Sequence, residues 1–205
     1  MIAVVDYGVG NLRSVYKAFE KCGFEATVTS DEKIINESKA IVLPGVGAFA
    51  QAMTELKKSG LDIVIKDNIK KDKPFLGICL GMQLLLTESE EFGHQEGLNI
   101  IPGKVKKFDL DLKIPHMGWN TIKFDDSCPL LADVSKDAYM YFVHSYYVAP
   151  DNPEHIVTET EYGIKFTSMV WNRKNAFACQ FHPEKSQDEG LKIIKAFGEL
   201  AEKNG

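Results

Sequence analysis

Through the first eighty positions, apolar residues fall in short continuous runs separated by helical patterns; beyond them they fall in short, partly alternating runs. The opening run at 1–5 stops at Asp6-Tyr7-Gly8-Val9-Gly10-Asn11, and Leu12, Val15, Phe19 and Cys22 then recur at helical spacing. That pattern predicts strand, loop and helix. Gly23 closes the helix, 25–29 reads as a second strand, and Ser30-Asp31 opens a short connection. A buried strand at 40–43 runs into Pro44-Gly45-Val46-Gly47, followed by a helical stretch through Met53 and Leu56. A helix at 61–71 carries Ile63, Ile65 and Ile69 among lysines, and another apolar strand follows Lys73-Pro74. Strands that alternate with helices in this way predict a parallel sheet wound through right-handed crossovers.

The pattern changes after a helix carrying Met82, Leu84, Leu85 and Leu86. Glu88-Ser89-Glu90-Glu91 reads as an acidic, solvated stretch without further role. Short strands are expected at 100–101, 105–108, 121–124, 139–143, 156–158, 165–171 and 176–181, rich in β-branched and aromatic residues. Leu191, Ile194, Phe197 and Leu200 then mark a C-terminal helix over 188–203 that packs back on the sheet. The expected fold is α/β: an open, mostly parallel, flavodoxin-like central sheet flanked by helices, with mixed and antiparallel strands added in the second half. No linker, repeat or low-complexity segment interrupts the chain, so one domain over 1–205 is expected.

The most chemically suggestive stretch is Pro74-Phe75-Leu76-Gly77-Ile78-Cys79-Leu80-Gly81-Met82-Gln83, where a cysteine stands between two glycines at the end of an apolar run. A strand ending here and a helix starting near Leu80 would put Cys79 on a strained elbow, its sulfur projecting over the sheet edge. Backbone N–H groups at the start of that helix would point at whatever bonds to the sulfur. Taken alone, Gly-x-Cys-x-Gly fits an inert buried cysteine as well. A thiol nucleophile also needs a base within hydrogen-bond reach and an acceptor that holds the base in place. Phe181-His182-Pro183-Glu184, at the end of an expected strand, supplies both residue types, with Pro183 stiffening the turn between them. The glycines of Pro44-Gly45-Val46-Gly47 suit either an oxyanion hole or a plain strand-ending turn. Gly8-x-Gly10 lacks the third glycine of a dinucleotide fingerprint, and there is no Walker lysine, so it reads as a tight turn.

The remaining histidines and cysteines narrow the chemistry less. His94 and His155 read as surface residues. His116 and His144 lie in aromatic-rich segments and suit a site wall or the core. Cys22 and Cys179 fit core positions, and Cys128 precedes a proline in a loop. The four cysteines are scattered, with no metal knuckle or redox pair, so neither a metal nor a cofactor is expected. A net charge of −5 gives no electrostatic case for nucleic acid or an anionic membrane. The early acid at Asp6 and the absence of an apolar run of roughly eighteen residues lead to the expectation of a soluble, cytoplasmic protein with reduced thiols.

Gly77-Ile78-Cys79-Leu80-Gly81, His182-Pro183-Glu184 about 100 residues later, and Pro44-Gly45-Val46-Gly47 upstream together resemble the class I, or triad, glutamine amidotransferases. Within that class, Asp6-Tyr7-Gly8-Val9-Gly10-Asn11, Pro115-His116-Met117-Gly118-Trp119-Asn120 and Tyr141-Phe142-Val143-His144-Ser145-Tyr146 are similar to the glutaminase branch of imidazole glycerol phosphate synthases. The resemblance spans essentially the whole chain. It implies that Cys79 attacks the side-chain amide of L-glutamine, His182 acts as base and then acid, and Glu184 orients His182. It implies an oxyanion hole from the Leu80 N–H and an N–H of the Gly45-Val46-Gly47 loop. Gln83 and the backbone at His144, Ser145 and Tyr146 would hold the glutamine amino and carboxylate groups. Trp119, Asn120, Tyr141 and Lys185 match interface positions, and the implied partner is a (β/α)8-barrel cyclase that consumes the ammonia. Three alternatives stand beside this one: a paralogue supplying ammonia to a surface sugar, a cysteine peptidase or chaperone-like hydrolase, and a non-enzymatic binding module.

Overall fold

The computed structural model describes residues 1–124 and 127–203. Strand β1 (Ile2–Val5) leads to helix α1 (Leu12–Lys21), β2 (Ala26–Thr29), α2 (Glu32–Glu37), β3 (Ala40–Gly45), α3 (Phe49–Ser59), α4 (Leu61–Lys70), β4 (Phe75–Cys79) and α5 (Leu80–Leu84). The chain then forms β5 (Glu88–Ser89), β6 (Gln95–Glu96), β7 (Gly103–Lys107), β8 (His116–Thr121) and β9 (Lys123–Phe124). It ends with β10 (Tyr139–His144), β11 (Tyr146–Pro150), β12 (Ile156–Tyr162), β13 (Ile164–Trp171), β14 (Ala176–Cys179) and α6 (Gln187–Lys203).

Strands β2, β1, β3, β4 and β14 lie side by side in that order and run parallel. The continuous apolar runs of β1 and β3 follow from helices covering both faces. Ile2, Val4, Ala40 and Val42 point into one core with Val15, Phe19, Ile194 and Phe197 of α1 and α6. Ala3, Val5, Ile41 and Leu43 point into the other core with Phe49, Leu56 and Ile65 of α3 and α4. Beyond β14 the sheet continues through β13, β11, β7, β5 and β6, with antiparallel pairing at every step except β7–β5. Strands β8 and β10 form a separate antiparallel ribbon.

The parallel half matches the sequence pattern closely, and the second half departs from it in detail. Residues 100–101 form no strand: the Ile100 and Ile101 N–H groups donate to the Leu85 carbonyl, tying this segment to the end of α5. The strand expected at 121–124 is divided between the end of β8 and the short β9, and β14 stops at Cys179, two residues early. Glu88–Glu91 is not a solvated stretch without further role. Glu88 belongs to β5 and pairs with Lys104 at 2.7 Å, while Ser89 and Glu91 are buried. Among the described residues, no helix is long and apolar enough to cross a membrane.

The junction of β4 and α5 has almost no spare room. A Cβ added at Gly81 would run into the Leu43 carbonyl oxygen, and one at Gly77 would lie 2.7 Å from the Gly81 carbonyl oxygen. Gly81→Ala therefore pushes α5 away from β3, with an expected loss of about 2–3 kcal/mol of stability. Urea unfolding followed by tryptophan fluorescence measures this, and a variant as stable as wild type would mean the junction relaxes freely.

Candidate active site

Parallel pairing delivers three strand ends to one place. Gly45 is in register with Cys79, and Cys179 with Ile78, so the residues after β3, β4 and β14 emerge as neighbours. Cys79 ends β4 at φ 55°, ψ −108°, a left-handed conformation that a non-glycine residue adopts only when its surroundings enforce it. Helix α5 starts on the next residue, so the expected elbow is present. Gly45 fits tightly beside it: a Cβ there would meet the Tyr7 hydroxyl at 2.5 Å and Leu80 Cβ at 2.9 Å. Gly47 has φ 92°, and Val46 between the two glycines is exposed.

After β14, Gln180, Phe181 and His182 carry the chain across the elbow. The His182 N–H donates to the Tyr141 carbonyl of the ribbon at 2.9 Å, and the Ser186 hydroxyl donates to the His182 carbonyl at 2.6 Å. The imidazole is thus fixed at both flanks. Its Nδ1 lies 2.9 Å from Glu184 Oε1, with both side chains almost fully buried. Nε2 has no partner of hydrogen-bond geometry among the described residues, yet the thiol of Cys79 acts on the ring. Burial disfavours the imidazolium, but Cys79 and Glu184 together overcome it and raise the His182 pKa to about 9. The arrangement favours a proton on the imidazole.

A cavity of about 430 Å³ opens over the sulfur, walled by Val46, Gly47, Leu80, Gln83, Glu91 and the 143–146 segment. The Cys79 sulfur lies 3.9 Å from the Val143 carbonyl oxygen and 3.7 Å from Gln180 Nε2. Gln83 donates to the Gln180 side-chain carbonyl at 3.0 Å and to the Tyr146 carbonyl at 3.3 Å. The structure therefore gathers Cys79, Gly47, Leu80, Gln83, His144, Ser145 and Tyr146 around one cavity, with the His182–Glu184 pair beside the thiol. Among the described residues, no group of three or more His, Cys, Asp or Glu could hold a metal ion.

The residues assigned to an interface separate into two settings. Trp119 is 46% exposed and packs edge-on against Tyr141, with Lys185 Nζ 5.9 Å from the Tyr141 ring. Asn120, the next residue of β8, turns its amide inward instead, donating to the Glu161 carbonyl at 2.9 Å. Sequence reasoning missed Glu91 and Gln180. The buried Glu91 carboxylate accepts from the Phe49 N–H, capping α3 directly after the 45–47 loop, and nothing in its acidic neighbourhood distinguished it. Gln180, fully buried beside the sulfur, had one available signal: a polar residue inside an apolar strand end.

A family model described as glutamine amidotransferase class-I matches residues 3–199. The chain belongs to that family. It is 52% identical over 206 residues to the imidazole glycerol phosphate synthase subunit HisH of Geobacter sulfurreducens, covering 97% of this chain and 98% of that one. It is 49% identical to the protein of the same name from Syntrophotalea carbinolica, covering 98% and 100%. Among solved structures, a crystal structure of a glutamine amidotransferase superposes with a TM-score of 0.78 at 17% identity, covering 98% of this chain and 100% of that one. The PurLQS structure from Thermotoga maritima gives 0.77 at 16% identity, covering 97% of each chain. At such identities these two structures support the shared fold. Membership sets aside the peptidase and binding-module alternatives for this glutamine amidotransferase.

A histidine whose pKa is raised by folding adds stability that is complete below its ordinary value of 6.5 and is lost as pH rises through about 9. Glu184→Gln removes one cause of the rise. Imidazole NMR of the variant should show the His182 midpoint moved down, and its stability deficit against wild type should shrink as pH rises from 6.5 to 9. An unmoved midpoint would mean that the carboxylate does not hold the proton in place.

Proposed function

We propose that this chain is the glutaminase subunit of an imidazole glycerol phosphate synthase, acting as one amidotransferase domain in the cytoplasm. It releases ammonia from L-glutamine to a (β/α)8-barrel cyclase, bound as a heterodimer, in a step of histidine biosynthesis. The joint reaction adds the lyase chemistry of the cyclase to the hydrolase chemistry of this subunit. The relatives of that name do not favour the sugar-amidating paralogue. The observation that carries the reading is the strained Cys79 beside the buried His182–Glu184 pair, at the floor of a cavity that the Glu91 carboxylate helps to line.

In this mechanism His182 Nε2 holds the proton of the Cys79 thiol while the sulfur bonds to the side-chain amide carbon of glutamine. Glu184 holds the imidazolium. The oxyanion of the tetrahedral intermediate is met by the Leu80 N–H at the start of α5 and by an N–H of the Gly45–Gly47 loop. Collapse breaks the C–N bond, and the His182 proton leaves with the amine as ammonia. A water then attacks the thioester, giving up its proton to His182, and glutamate departs as that proton returns to sulfur. Gln83 and the 144–146 backbone orient the α-amino and carboxylate groups of the substrate, and Glu91 supplies the counter-charge for the α-ammonium.

Support for the partner comes from the β8–β10 ribbon. Met117, Trp119 and Tyr139 project from its outer face at 62%, 46% and 61% exposure, an apolar aromatic surface suited to being covered. The same ribbon brings Val143 to the sulfur. A partner seated on Trp119, Tyr141 and Lys185 stands close enough to receive ammonia before it becomes ammonium in bulk water.

The decisive assay measures glutamine hydrolysis with and without the cyclase and its nucleotide. Activity should depend on Cys79 and rise with the partner present; full activity without any partner would overturn ammonia channelling. Gly47→Ala should lower kcat of the complex by roughly a hundredfold through loss of an oxyanion donor. An added Cβ there meets nothing within 4 Å, so the effect acts through the φ of 92° rather than through crowding. A fully stimulated Gly47→Ala enzyme would exclude this loop from the oxyanion hole.

A further inference from the structure

The inner face of the ribbon carries a line of polar groups that the mechanism does not use. Asn120 Nδ2 donates to the Glu161 carbonyl at 2.9 Å, and its Oδ1 accepts from the Thr121 N–H at 2.8 Å. These two backbone partners fix which end of the amide is nitrogen. The same Nδ2 lies 3.2 Å from His116 Nε2, which must therefore be an acceptor, leaving the ring proton on Nδ1. His116 Nδ1 lies 2.9 Å from His144 Nε2, so that nitrogen accepts in turn and His144 carries its proton on Nδ1. His144 Nδ1 lies 2.7 Å from the Tyr146 carbonyl oxygen, which can only accept.

The two ends impose the same direction independently. At one end the Glu161 carbonyl and Thr121 N–H orient Asn120; at the other the Tyr146 carbonyl requires Nδ1–H on His144. Both rings are neutral, as the chain needs. Burial lowers the His116 pKa to about 4, and burial lowers that of His144 to about 3 against the opposing pull of the Tyr146 carbonyl. The Tyr146 carbonyl at the end of the line also accepts from Gln83, whose amide reaches Gln180 and, through it, the Cys79 sulfur.

We propose that Asn120, His116 and His144 form a proton-ordered hydrogen-bond relay whose task is to fix the 144–146 bend, and so the Tyr146 carbonyl and Gln83, in the glutamine pocket. The three are positioning residues, and the inference rests on the glutaminase reading above. His144 bonds across the bend to the residue two positions on, so its tautomer decides whether the pocket wall is held. That tautomer is backed from behind by His116, which bonds to His144 but does not itself line the pocket. His116 also stacks on Tyr162 at 4.1 Å and on Phe142 at 4.9 Å, so its packing must be separated from its relay role.

Two substitutions make that separation in the full complex with the cyclase. His116→Phe keeps a stacked ring but removes the N–H, leaving His144 Nε2 a buried acceptor without a donor and the ring that holds the Tyr146 carbonyl anchored by one bond fewer. His116→Asn loses the ring but places an amide N–H where Nδ1–H stood. The relay predicts that His116→Phe raises KM for glutamine roughly tenfold with kcat within about twofold, while His116→Asn stays within about threefold of wild-type KM. A role in stacking alone reverses that order, and an unchanged His116→Phe or equal damage in both variants overturns the relay. Nitrogen-15 NMR of the imidazoles, recorded without glutamine, gives a second readout. Wild type should show both His116 and His144 protonated on Nδ1, and His116→Phe should move the His144 Nε2 resonance downfield, to that of an acceptor nitrogen without a donor. A wild-type complex that hydrolyses no glutamine would sink the glutaminase reading and the positioning role with it. An Nε2–H His144 in an active wild type would sink the relay alone.

Discussion

Helix α5 begins on the residue after β4 ends, and it can do so only because the backbone of Gly81 passes directly beneath the Leu43 carbonyl. Gly77 gives way to the Gly81 carbonyl, and Gly45 to Leu80 and Tyr7. These contacts leave no alternative path for the chain, and that is how Cys79 is held at φ 55°. A left-handed conformation at a non-glycine residue costs on the order of 1–3 kcal/mol and survives only where neighbours over-determine it. Here the neighbours are strand backbones of the most buried part of the sheet. Close packing of glycine backbone therefore sets the position of the thiol.

Everything else in the site arrives by register. Parallel strands share a direction, so β3, β4 and β14 release their following loops at the same edge. The oxyanion-loop candidates, the cysteine and the Gln180–His182 segment meet there although they lie far apart in sequence. The end of the β8–β10 ribbon and the start of β11 then bring the 143–146 segment to that edge as one wall of the cavity. Burial of both side chains gives the His182–Glu184 pair its influence. In water an imidazolium–carboxylate contact is weak, whereas in this buried setting it contributes to a pKa near 9.

The half of the molecule with strong periodicity was legible from sequence. Continuous apolar runs at 1–5 and 40–43, the glycine-framed Cys79 and the paired His182 and Glu184 each carry a local signature, and the expected elbow and pair are where that signature put them. The second half was less legible because its strands are short and their partners distant. Residues 116–121 alternate inward and outward as a strand must, but two glycine- and aromatic-rich turns of similar composition would read the same way. Ile100 and Ile101 look like a strand because they are β-branched, yet their amides serve the end of α5. Glu91 shows the limit most clearly. Its burial depends on α3 presenting an uncapped N-terminus to it, a tertiary fact that no window around Glu91 contains.

The ribbon joins these two kinds of information in one element. A β-strand sends successive side chains to opposite faces, so Met117 and Trp119 outside necessarily alternate with His116, Gly118 and Asn120 inside. On β10, Tyr139 and Tyr141 alternate likewise with Met140, Phe142 and His144. A partner that settles on the exposed aromatics thus touches the same backbone that carries the histidines. The ribbon is joined to the sheet at the 144–146 bend, and His182 hangs from its Tyr141 carbonyl. Any tilt of the ribbon moves the cavity wall and His182 together. Burial of a neutral histidine pair opposes such a tilt, because breaking the line would leave polar nitrogens unsatisfied in an apolar core. Exposed aromatics and a cavity wall carried by one two-stranded ribbon are coupled by covalent geometry, before any longer-range rearrangement is invoked.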